Sequence, residues 1–260
     1  VLVKLPPNGA DVRFPARAAK AGGADGVALI NTLNSIMRVD LETMKPKFSL
    51  GGQISHGGYC GPAVKPIALN MVSQIATDPE TRGLPISGIG GISTWADAVE
   101  FMLLGSSSVQ LCTAVMLHGF RIIEELNAGL SDWMDAKGFA KVSDFVGRTA
   151  PSIVDWKKLN LHHKTVASID QAKCIGCDVC YVSCNDTAHQ CIDIDRRRGN
   201  RKPHVITEDC VGCNLCSIVC PVESCITMKD VETGHAPLTW EEYTACGGKG
   251  YKEVYKRMHG

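Results

Sequence analysis

Two cysteine runs decide how the last third of this chain folds. Residues 174–184 read CIGCDVCYVSC and residues 210–221 read CVGCNLCSIVCP, so the spacing Cys-x2-Cys-x2-Cys-x3-Cys occurs twice. Of the 13 cysteines in the chain, only Cys60 and Cys112 precede these runs. Three thiolates so close in sequence can hold three corners of an iron–sulfur cube, and the fourth corner needs a ligand from elsewhere. The repeated spacing therefore predicts two 4Fe-4S clusters.

The spacing also predicts which thiols share a cluster. It is the spacing of bacterial two-cluster ferredoxins, in which each run lends its fourth cysteine to the other cluster. The two predicted ligand sets are, first, Cys174, Cys177, Cys180 and Cys220, and second, Cys210, Cys213, Cys216 and Cys184.

Structural zinc is the alternative for these runs. Zinc sites normally use two CxxC pairs, whereas this chain has two runs of four with Pro221 after the last, which favours iron and sulfide. The first run has Asn185 in the position of that proline, which changes no ligand. Cys191, Cys225 and Cys246 lie outside the spacing, and we expect the first two to be buried free thiols.

Composition excludes some classes of function. The 260 residues are 45% hydrophobic and 21% charged, and Lys plus Arg equals Asp plus Glu at 27 each. No net charge is available to attract nucleic acid, and no apolar run approaches the roughly 18 residues of a membrane span. We therefore expect a cytoplasmic protein without nucleic-acid or membrane partners. Because Val1 opens an apolar run without targeting features, we also expect the C-terminal part of a longer protein.

The first half of the chain alternates apolar runs with amphipathic stretches. The run Val27–Ile30 is continuous rather than alternating, which is typical of parallel strands covered on both faces. Four βα units are predicted, with strands at 1–5, 25–32, 84–91 and 108–114 and helices at 14–21, 67–76, 95–104 and 119–126. Four units make half of a (β/α)8 barrel, and a doubly wound open sheet is the alternative.

Glycines at two strand ends favour the barrel. Gly88–Gly91 ends the third predicted strand, and Cys112 with Thr113 ends the fourth. These would be strands seven and eight of a complete barrel, between which barrels commonly bind a phosphate.

The predicted organisation has four parts. After Gly129 the periodic pattern loosens, and a final helix is expected after Thr239, because Thr239 and Glu242 have capping-box spacing. The parts are the C-terminal half of a barrel at 1–147, a connector at 148–168, an α+β two-cluster domain at 169–230 and a helical tail at 231–260.

With both halves read, the chain resembles the dihydropyrimidine dehydrogenases over nearly its whole length. The barrel half alone also resembles dihydroorotate dehydrogenases, which lack the fused cysteine domain. The segments that carry the resemblance, besides the two cysteine runs, are 3–8, 22–27, 31–32, 57–63, 66–69, 88–92 and 109–114.

The resemblance implies FMN at the carboxyl ends of the barrel strands. It places Lys4 near N1 and the C2 carbonyl of the flavin, where a cation stabilises the anionic reduced ring. It implies that the ribityl phosphate lies against a set of small residues and donors at strand ends, namely Gly61, Gly90, Gly91, Cys112 and Thr113. The alternative for all of them is an ordinary turn, core or solvent-facing role.

The resemblance also implies the substrate and the electron path. Asn31 and Thr32 stand where the family contacts uracil or thymine, and an amide offers the donor and acceptor that a pyrimidine edge requires. NADH would be oxidised by a separate subunit that carries FAD and iron–sulfur centres in a hetero-oligomer, because this chain has no G-x-G-x-x-G fingerprint. The family's proton-donating cysteine would precede Val1, so no catalytic residue is assigned here, Cys60 is read as non-catalytic, and residues 1–260 alone are expected to be inactive.

Two other functions stay open from sequence. One is a dihydroorotate-type oxidoreductase acting on another unsaturated substrate, and the other is a non-catalytic electron-transfer module. Turnover of uracil rather than orotate would separate a dihydropyrimidine dehydrogenase from a dihydroorotate-type oxidoreductase. Bound flavin would separate both enzymes from an electron-transfer module.

Overall fold

The chain forms two compact units, Val1–Ile153 and Val154–Gly260. They are described here from a computed structural model, which describes residues 1–9, 11–187, 189–194 and 201–245. Within these residues, no helix combines the length and apolar character needed to cross a membrane.

The first unit is built on a parallel sheet. Its strands are, in chain order, β1 (Leu2–Leu5), β2 (Gly26–Leu29), β3 (Leu33–Ser35), β4 (Val39–Asp40), β5 (Lys45–Pro46), β6 (Gly57–Tyr59), β7 (Ile86–Ile89) and β8 (Ser108–Gln110). Its helices are α1 (Arg13–Ala21), α2 (Lys65–Thr77), α3 (Trp95–Leu103), α4 (Thr113–His118) and α5 (Ile122–Lys137).

The sheet follows the chain without a reversal. Its order is β1-β2-β7-β8, every pair is parallel, and Leu29 lies opposite both Leu5 and Gly88. A doubly wound sheet would reverse its strand order at a switch point, whereas a barrel adds each strand beside the last. The order therefore favours the barrel, of which four strands make half.

The core lies on both faces of this sheet. Every residue of β2 is buried, as the continuous apolar run predicts for a strand covered on both sides. Phe101 of α3 is also fully buried and packs against Gly88 in β7, where a Cβ would lie only 2.4 Å from its ring. Helix and sheet can approach this closely because position 88 has no side chain.

Several predicted elements of this unit have other bounds in the structure. The second strand was predicted to reach Thr32 but ends at Leu29. The fourth strand was expected to reach Ala114, but it ends at Gln110, and Thr113 already begins α4. The expected loss of pattern after Gly129 is also wrong, because α5 continues to Lys137. Gly129 lies against Trp95 of α3, where a Cβ would be 2.2 Å from the indole ring, so the glycine permits close helix packing.

A buried ion pair joins α1 to the end of α2. Asp78 is 2% exposed and accepts two bonds of 2.8 Å from the Arg17 guanidinium, which is itself 31% exposed. Arg17 also contacts Glu80, which is 65% exposed, at 2.8 Å. The Arg17 guanidinium holds the pKa of Asp78 below its usual value.

We expect Asp78→Asn to lower the free energy of unfolding by about 2 kcal/mol, because the variant removes the buried counter-charge of the Arg17 guanidinium and leaves it only the exposed Glu80. The matched variant Glu80→Gln removes an exposed partner of the same arginine and should cost less than about 1 kcal/mol. Urea unfolding at pH 7 measures both. Similar losses would show that burial of Asp78 contributes nothing.

The same pair predicts a pH dependence. A carboxyl with a lowered folded-state pKa stabilises the fold above its unfolded pKa of about 3.9, and that contribution is lost as the pH falls through the folded value. At pH 7 the parent protein should have a larger free energy of unfolding than Asp78→Asn. This difference should disappear as the pH falls below about 4.

The second unit is a small α+β structure. Its elements are β9 (Lys164–Ile169), α6 (Val179–Asn185), β10 (Ile192–Ile194), β11 (Pro203–Val205), α7 (Leu215–Ile218), β12 (Ile226–Val231) and α8 (Trp240–Ala245). β12 pairs antiparallel with β9, and β10 pairs antiparallel with β11. Its core combines Val166, Ala167, Ile192 and Ile226 with buried thiols.

The bounds of this unit differ from the predicted segments. β9 begins at Lys164, inside the predicted connector, because its six residues pair one by one with β12. The compact unit starts at Val154. The helix expected after Thr239 is present as α8, and its capping box is formed by Thr239 and Glu242. The second half of the predicted tail, from residue 246, lies outside the described residues.

Candidate functional site

The first candidate site lies where the parallel strands end. Because all four strands run the same way, their carboxyl ends meet at one edge of the sheet, which is where open and closed α/β sheets bind ligands. The predicted residues Lys4, Asn31, Gly90 and Cys112 stand in or just after β1, β2, β7 and β8, respectively.

Three of the predicted phosphate residues come together at this edge. A Cβ on Gly91 would lie 2.9 Å from the carbonyl oxygen of Gly61 and 3.0 Å from the backbone nitrogen of Lys65. A Cβ on Gly61 would lie 3.6 Å from Cγ2 of Thr113. Gly61 and Gly91 have φ of 90° and 80°, which is left-handed backbone that favours glycine. Two segments thus approach each other closely because neither carries a side chain.

This concave backbone suits an anion. No side chain caps the amino terminus of α4, so backbone N–H groups there remain available as donors. At the start of α2 the Lys65 N–H already donates to the Pro62 carbonyl oxygen, and Pro66 has no N–H. Amides at a helix amino terminus, with adjacent left-handed backbone, are the usual donors to phosphate. The residues present therefore fit the phosphate end of FMN.

Gly90 has a packing role beside this concavity. A Cβ there would lie 2.9 Å from Cβ of Ala68 and 3.1 Å from Cγ1 of Ile30. The glycine lets the chain after β7 pass between α2 and β2, which places Gly91 next to Gly61.

Asn31 and Thr32 form the loop after β2, and both are exposed. The Asn31 Oδ1 accepts the Thr32 backbone N–H at 2.8 Å, so its NH2 group and a second oxygen lone pair remain available. Thr32 packs closely against β6. The packing is possible because Gly58 has no side chain: a Cβ there would lie 2.2 Å from the Thr32 hydroxyl oxygen.

The residue that holds this loop, Asn8, was not among the predicted site residues. Asn8 donates from Nδ2 to the Thr32 carbonyl oxygen at 3.3 Å and accepts the Asn34 backbone N–H at 3.0 Å. Asn8 lies in a segment that carries the family resemblance, but its partners are distant in sequence, so no local pattern reveals the contact.

Two lysines at this edge differ in their surroundings. Lys4 is exposed on β1, and no ion pair involves it among the residues that the structure describes. Lys65 begins α2 and contacts Asp97 at 2.6 Å and Glu100 at 3.0 Å, and the bond to Asp97 raises its pKa. Lys65 was also missed from sequence; its charge is already neutralised by α3.

The second candidate site consists of two cavities lined by thiols. One is lined by the predicted ligands Cys174, Cys177, Cys180 and Cys220 and also by Cys225, and the other by Cys184, Cys210, Cys213 and Cys216 and also by Cys191. The structure thus brings together the two sets that the spacing groups, each with one thiol from the other run. Among the described residues, no three His, Cys, Asp or Glu side chains converge on one point as a single metal ion requires.

The two runs have matching left-handed residues at two positions. Gly176 and Gly212 have φ of 70° and 71°, and the residues two positions later, Asp178 and Asn214, have φ of 63° and 64°. Such left-handed turns aim successive N–H groups into a concavity and are common around anionic iron–sulfur centres. The local fold therefore fits a negatively charged cluster in each cavity.

Burial makes the thiols poor candidates for free thiolates. Cys180, Cys184, Cys210 and Cys216 are all buried, and burial raises the pKa of Cys180 to about 11 and also raises that of Cys216. A buried thiolate needs a compensating cation, which the iron of a cluster would supply.

The remaining cysteines fall into two groups. Cys191 and Cys225 are buried, as predicted, and burial raises their pKa to about 12 and about 11. Both are therefore protonated at neutral pH. Cys60 and Cys112 are exposed in the first unit, and Cys246 lies outside the described residues.

Comparisons with known proteins agree with this two-part structure. Residues 1–134, just over half of the chain, match the dihydroorotate dehydrogenase family, which consists of TIM barrels, and residues 167–228 match the 4Fe-4S dicluster domain. These matches confirm the predicted fold class.

Individual relatives match one or both parts. The NAD-dependent dihydropyrimidine dehydrogenase subunit PreA of Escherichia coli is 44% identical over 89% of this chain and 56% of its own length. The catalytic subunit of dihydroorotate dehydrogenase B (NAD(+)) of Pyrococcus abyssi is 43% identical over 56% of this chain and 46% of its own. The chloroplastic dihydropyrimidine dehydrogenase (NADP(+)) of Arabidopsis thaliana is 41% identical over 57% of this chain and 36% of its own length.

The chain spans about half the length of the first two relatives and about a third of the A. thaliana protein. The first alignment confirms the resemblance to dihydropyrimidine dehydrogenases, because it is long enough to include both the sheet unit and the cysteine unit. By the match over its first 134 residues, the chain belongs to the dihydroorotate dehydrogenase family, and it carries a 4Fe-4S dicluster domain on the same polypeptide.

Proposed function

We propose that this chain belongs to an oxidoreductase that reduces uracil or thymine to the 5,6-dihydropyrimidine, the first step of pyrimidine degradation. The observation that carries the proposal is that one chain contains both a sheet edge whose backbone suits an anion and two thiol-lined cavities. The alignment with a dihydropyrimidine dehydrogenase subunit covers 89% of the chain and supports it.

FMN would occupy the carboxyl edge of the sheet in the first unit. Gly61, Gly90, Gly91, Cys112 and Thr113 would hold its phosphate through backbone amides and the threonine hydroxyl. Lys4 would supply a positive charge beside the ring. When bound, FMN supplies the exchange between single electrons and a hydride that reduction of the pyrimidine C5–C6 bond requires.

Asn31 and Thr32 would orient the pyrimidine. The free NH2 and second lone pair of Asn31 suit a carbonyl and an N–H on the substrate edge, and Asn8 keeps the loop in place. The electrons would come from NADH through a separate subunit that carries FAD and iron–sulfur centres, and then through two 4Fe-4S clusters held by the two cysteine sets.

The experiment that tests this proposal uses the complete enzyme with its NADH-oxidising partner under anaerobic conditions. We expect NADH oxidation to depend on uracil or thymine and to be negligible with orotate. Turnover of orotate instead would favour a dihydroorotate-type reaction, for which the 43% identity to the P. abyssi subunit is the supporting observation. Purified protein that holds iron but no flavin would leave only an electron-transfer role.

Lys4 offers a further test of the flavin site. We expect Lys4→Ala to make bound FMN harder to reduce, because an anionic reduced ring loses its nearest fixed positive charge. A spectroscopic titration of the flavin potential measures this. Lys20→Ala is the control, since Lys20 instead bonds to carbonyl oxygens of Glu80 and Arg82. A potential unchanged by Lys4→Ala would return Lys4 to a solvent-facing role.

A further inference from the structure

The two thiol-lined cavities are pseudo-equivalent, but one matched position carries a different charge. Asp178 and Asn214 occupy the same place in the two runs, with φ of 63° and 64°, and each lines the cavity of its own run. Any difference in charge between them is therefore felt by one cavity more than by the other.

Asp178 places an incompletely neutralised carboxylate at the first cavity. Its side chain is only 12% exposed; Oδ2 is paired with Arg201, while Oδ1 is buried without a hydrogen-bond partner in the part of the chain that the structure describes. Arg201 is 67% exposed, so solvent screens its charge more than that of the carboxylate. Asn214 is neutral, and its Oδ1 accepts the Ser217 hydroxyl.

The two cavities also differ in the hydrogen bonds that their sulfur atoms receive, and this difference also favours an extra electron at the second cavity. The Cys191 backbone N–H donates to Sγ of Cys184, a thiol of the second cavity, at 3.3 Å. Cys225 is the corresponding first cysteine after the second run, but its N–H donates to the Val222 carbonyl oxygen at 3.2 Å.

We infer that the two clusters have unequal reduction potentials, with the lower potential at the cluster of Cys174, Cys177, Cys180 and Cys220, and that Asp178 is a residue that sets this difference. The inference rests on the proposed pair of clusters. A nearby negative charge disfavours adding an electron to a cluster, whereas a hydrogen bond donated to a ligand sulfur favours it.

The consequence is a direction for electron transfer within the unit. With both clusters bound, one electron would pass from the cluster held by Cys174, Cys177, Cys180 and Cys220 to the cluster that includes Cys184. The first cluster would thereby be oxidised and the second reduced by one electron. A single electron in the unit therefore resides mainly on that second cluster.

The test is a potentiometric titration of the anaerobically loaded full chain, followed by electron paramagnetic resonance. We expect two midpoints in the parent. In Asp178→Asn the lower midpoint should rise, with about a tenfold change in the ratio of reduced to oxidised cluster at fixed potential, or about 59 mV. The substitution keeps a side chain that tolerates left-handed backbone.

Asn214→Asp is the independent second variant and should lower the higher midpoint. Glu241→Gln, which removes an exposed acid on α8 that lines neither cavity, should move neither. A Cys220→Ser chain, which should lack the first cluster, assigns the midpoints. Equal parent potentials, or an Asp178→Asn chain with unmoved midpoints, would overturn the inference while iron analysis still supported two clusters. Absence of clusters would instead remove the proposed function.

Discussion

Replacing Gly91 by alanine is expected to weaken FMN binding by roughly 100-fold or more. The new Cβ would lie 2.9 Å from the Gly61 carbonyl oxygen and 3.0 Å from the Lys65 nitrogen, and both neighbours are backbone atoms that cannot rotate away. Overpacking of this kind costs about 1–3 kcal/mol, and left-handed backbone costs an alanine about 1–2 kcal/mol more. A separation of the two segments would disperse the phosphate donors, and about 3 kcal/mol corresponds to that loss of affinity.

Gly83→Ala is the matched control for this experiment. Gly83 has φ of 82°, almost the same as Gly91, but a Cβ there would meet nothing within 4 Å. The control should lose about 1–2 kcal/mol of stability and keep its affinity for FMN. Flavin fluorescence titration of the folded apoproteins measures affinity directly. Equal affinities in the two variants would exclude the Gly61–Gly91 concavity as the phosphate site.

Paired substitutions in the cysteine runs are expected to remove iron in a pattern that depends on which thiols share a cluster. The parent should hold about eight irons and eight acid-labile sulfides in its two clusters. Cys184→Ser combined with Cys216→Ser removes two ligands of one predicted cluster and should leave about four irons. Cys220→Ser combined with Cys216→Ser removes a ligand from each and should leave almost none.

The opposite pattern would show that each run holds its own cluster, because Cys216 and Cys220 would then belong together. Cys60→Ser is the control, because Cys60 is exposed in the first unit and belongs to neither predicted ligand set. This variant should retain all its iron. Stoichiometric zinc without a visible spectrum in the parent would replace both arrangements with structural zinc sites.

The sequence predicts best where one local pattern determines the structure. The continuous run in β2 and the cysteine spacing each correspond to one physical arrangement, a doubly covered strand and a thiol-lined cavity. The residues after Cys112 were predicted wrongly, because a short apolar stretch is compatible with either a strand or a helix. In the structure β8 ends at Gln110 and a helix begins at Thr113.

The parts that could not be predicted depend on distant partners. β3 forms because Leu33 pairs with Tyr59, and strands of two or three residues leave no periodic pattern. The roles of Asn8 and Lys65 likewise follow from hydrogen bonds between segments. The site residues at strand ends were predictable from the family resemblance, but their mutual distances depend on how the segments pack.

The exchange of fourth cysteines between the runs ties folding to metal supply. A cluster that joins Cys180 to Cys220 also closes the loop of chain between them, and closing a long loop restricts the unfolded chain much as a disulfide does. Two such closures interlock, because the other cluster joins Cys184 to the second run. Without iron, buried thiols and open loops would leave this unit largely unfolded and accessible to proteases. We therefore expect the cellular abundance of the protein to follow iron availability, even where its messenger level does not.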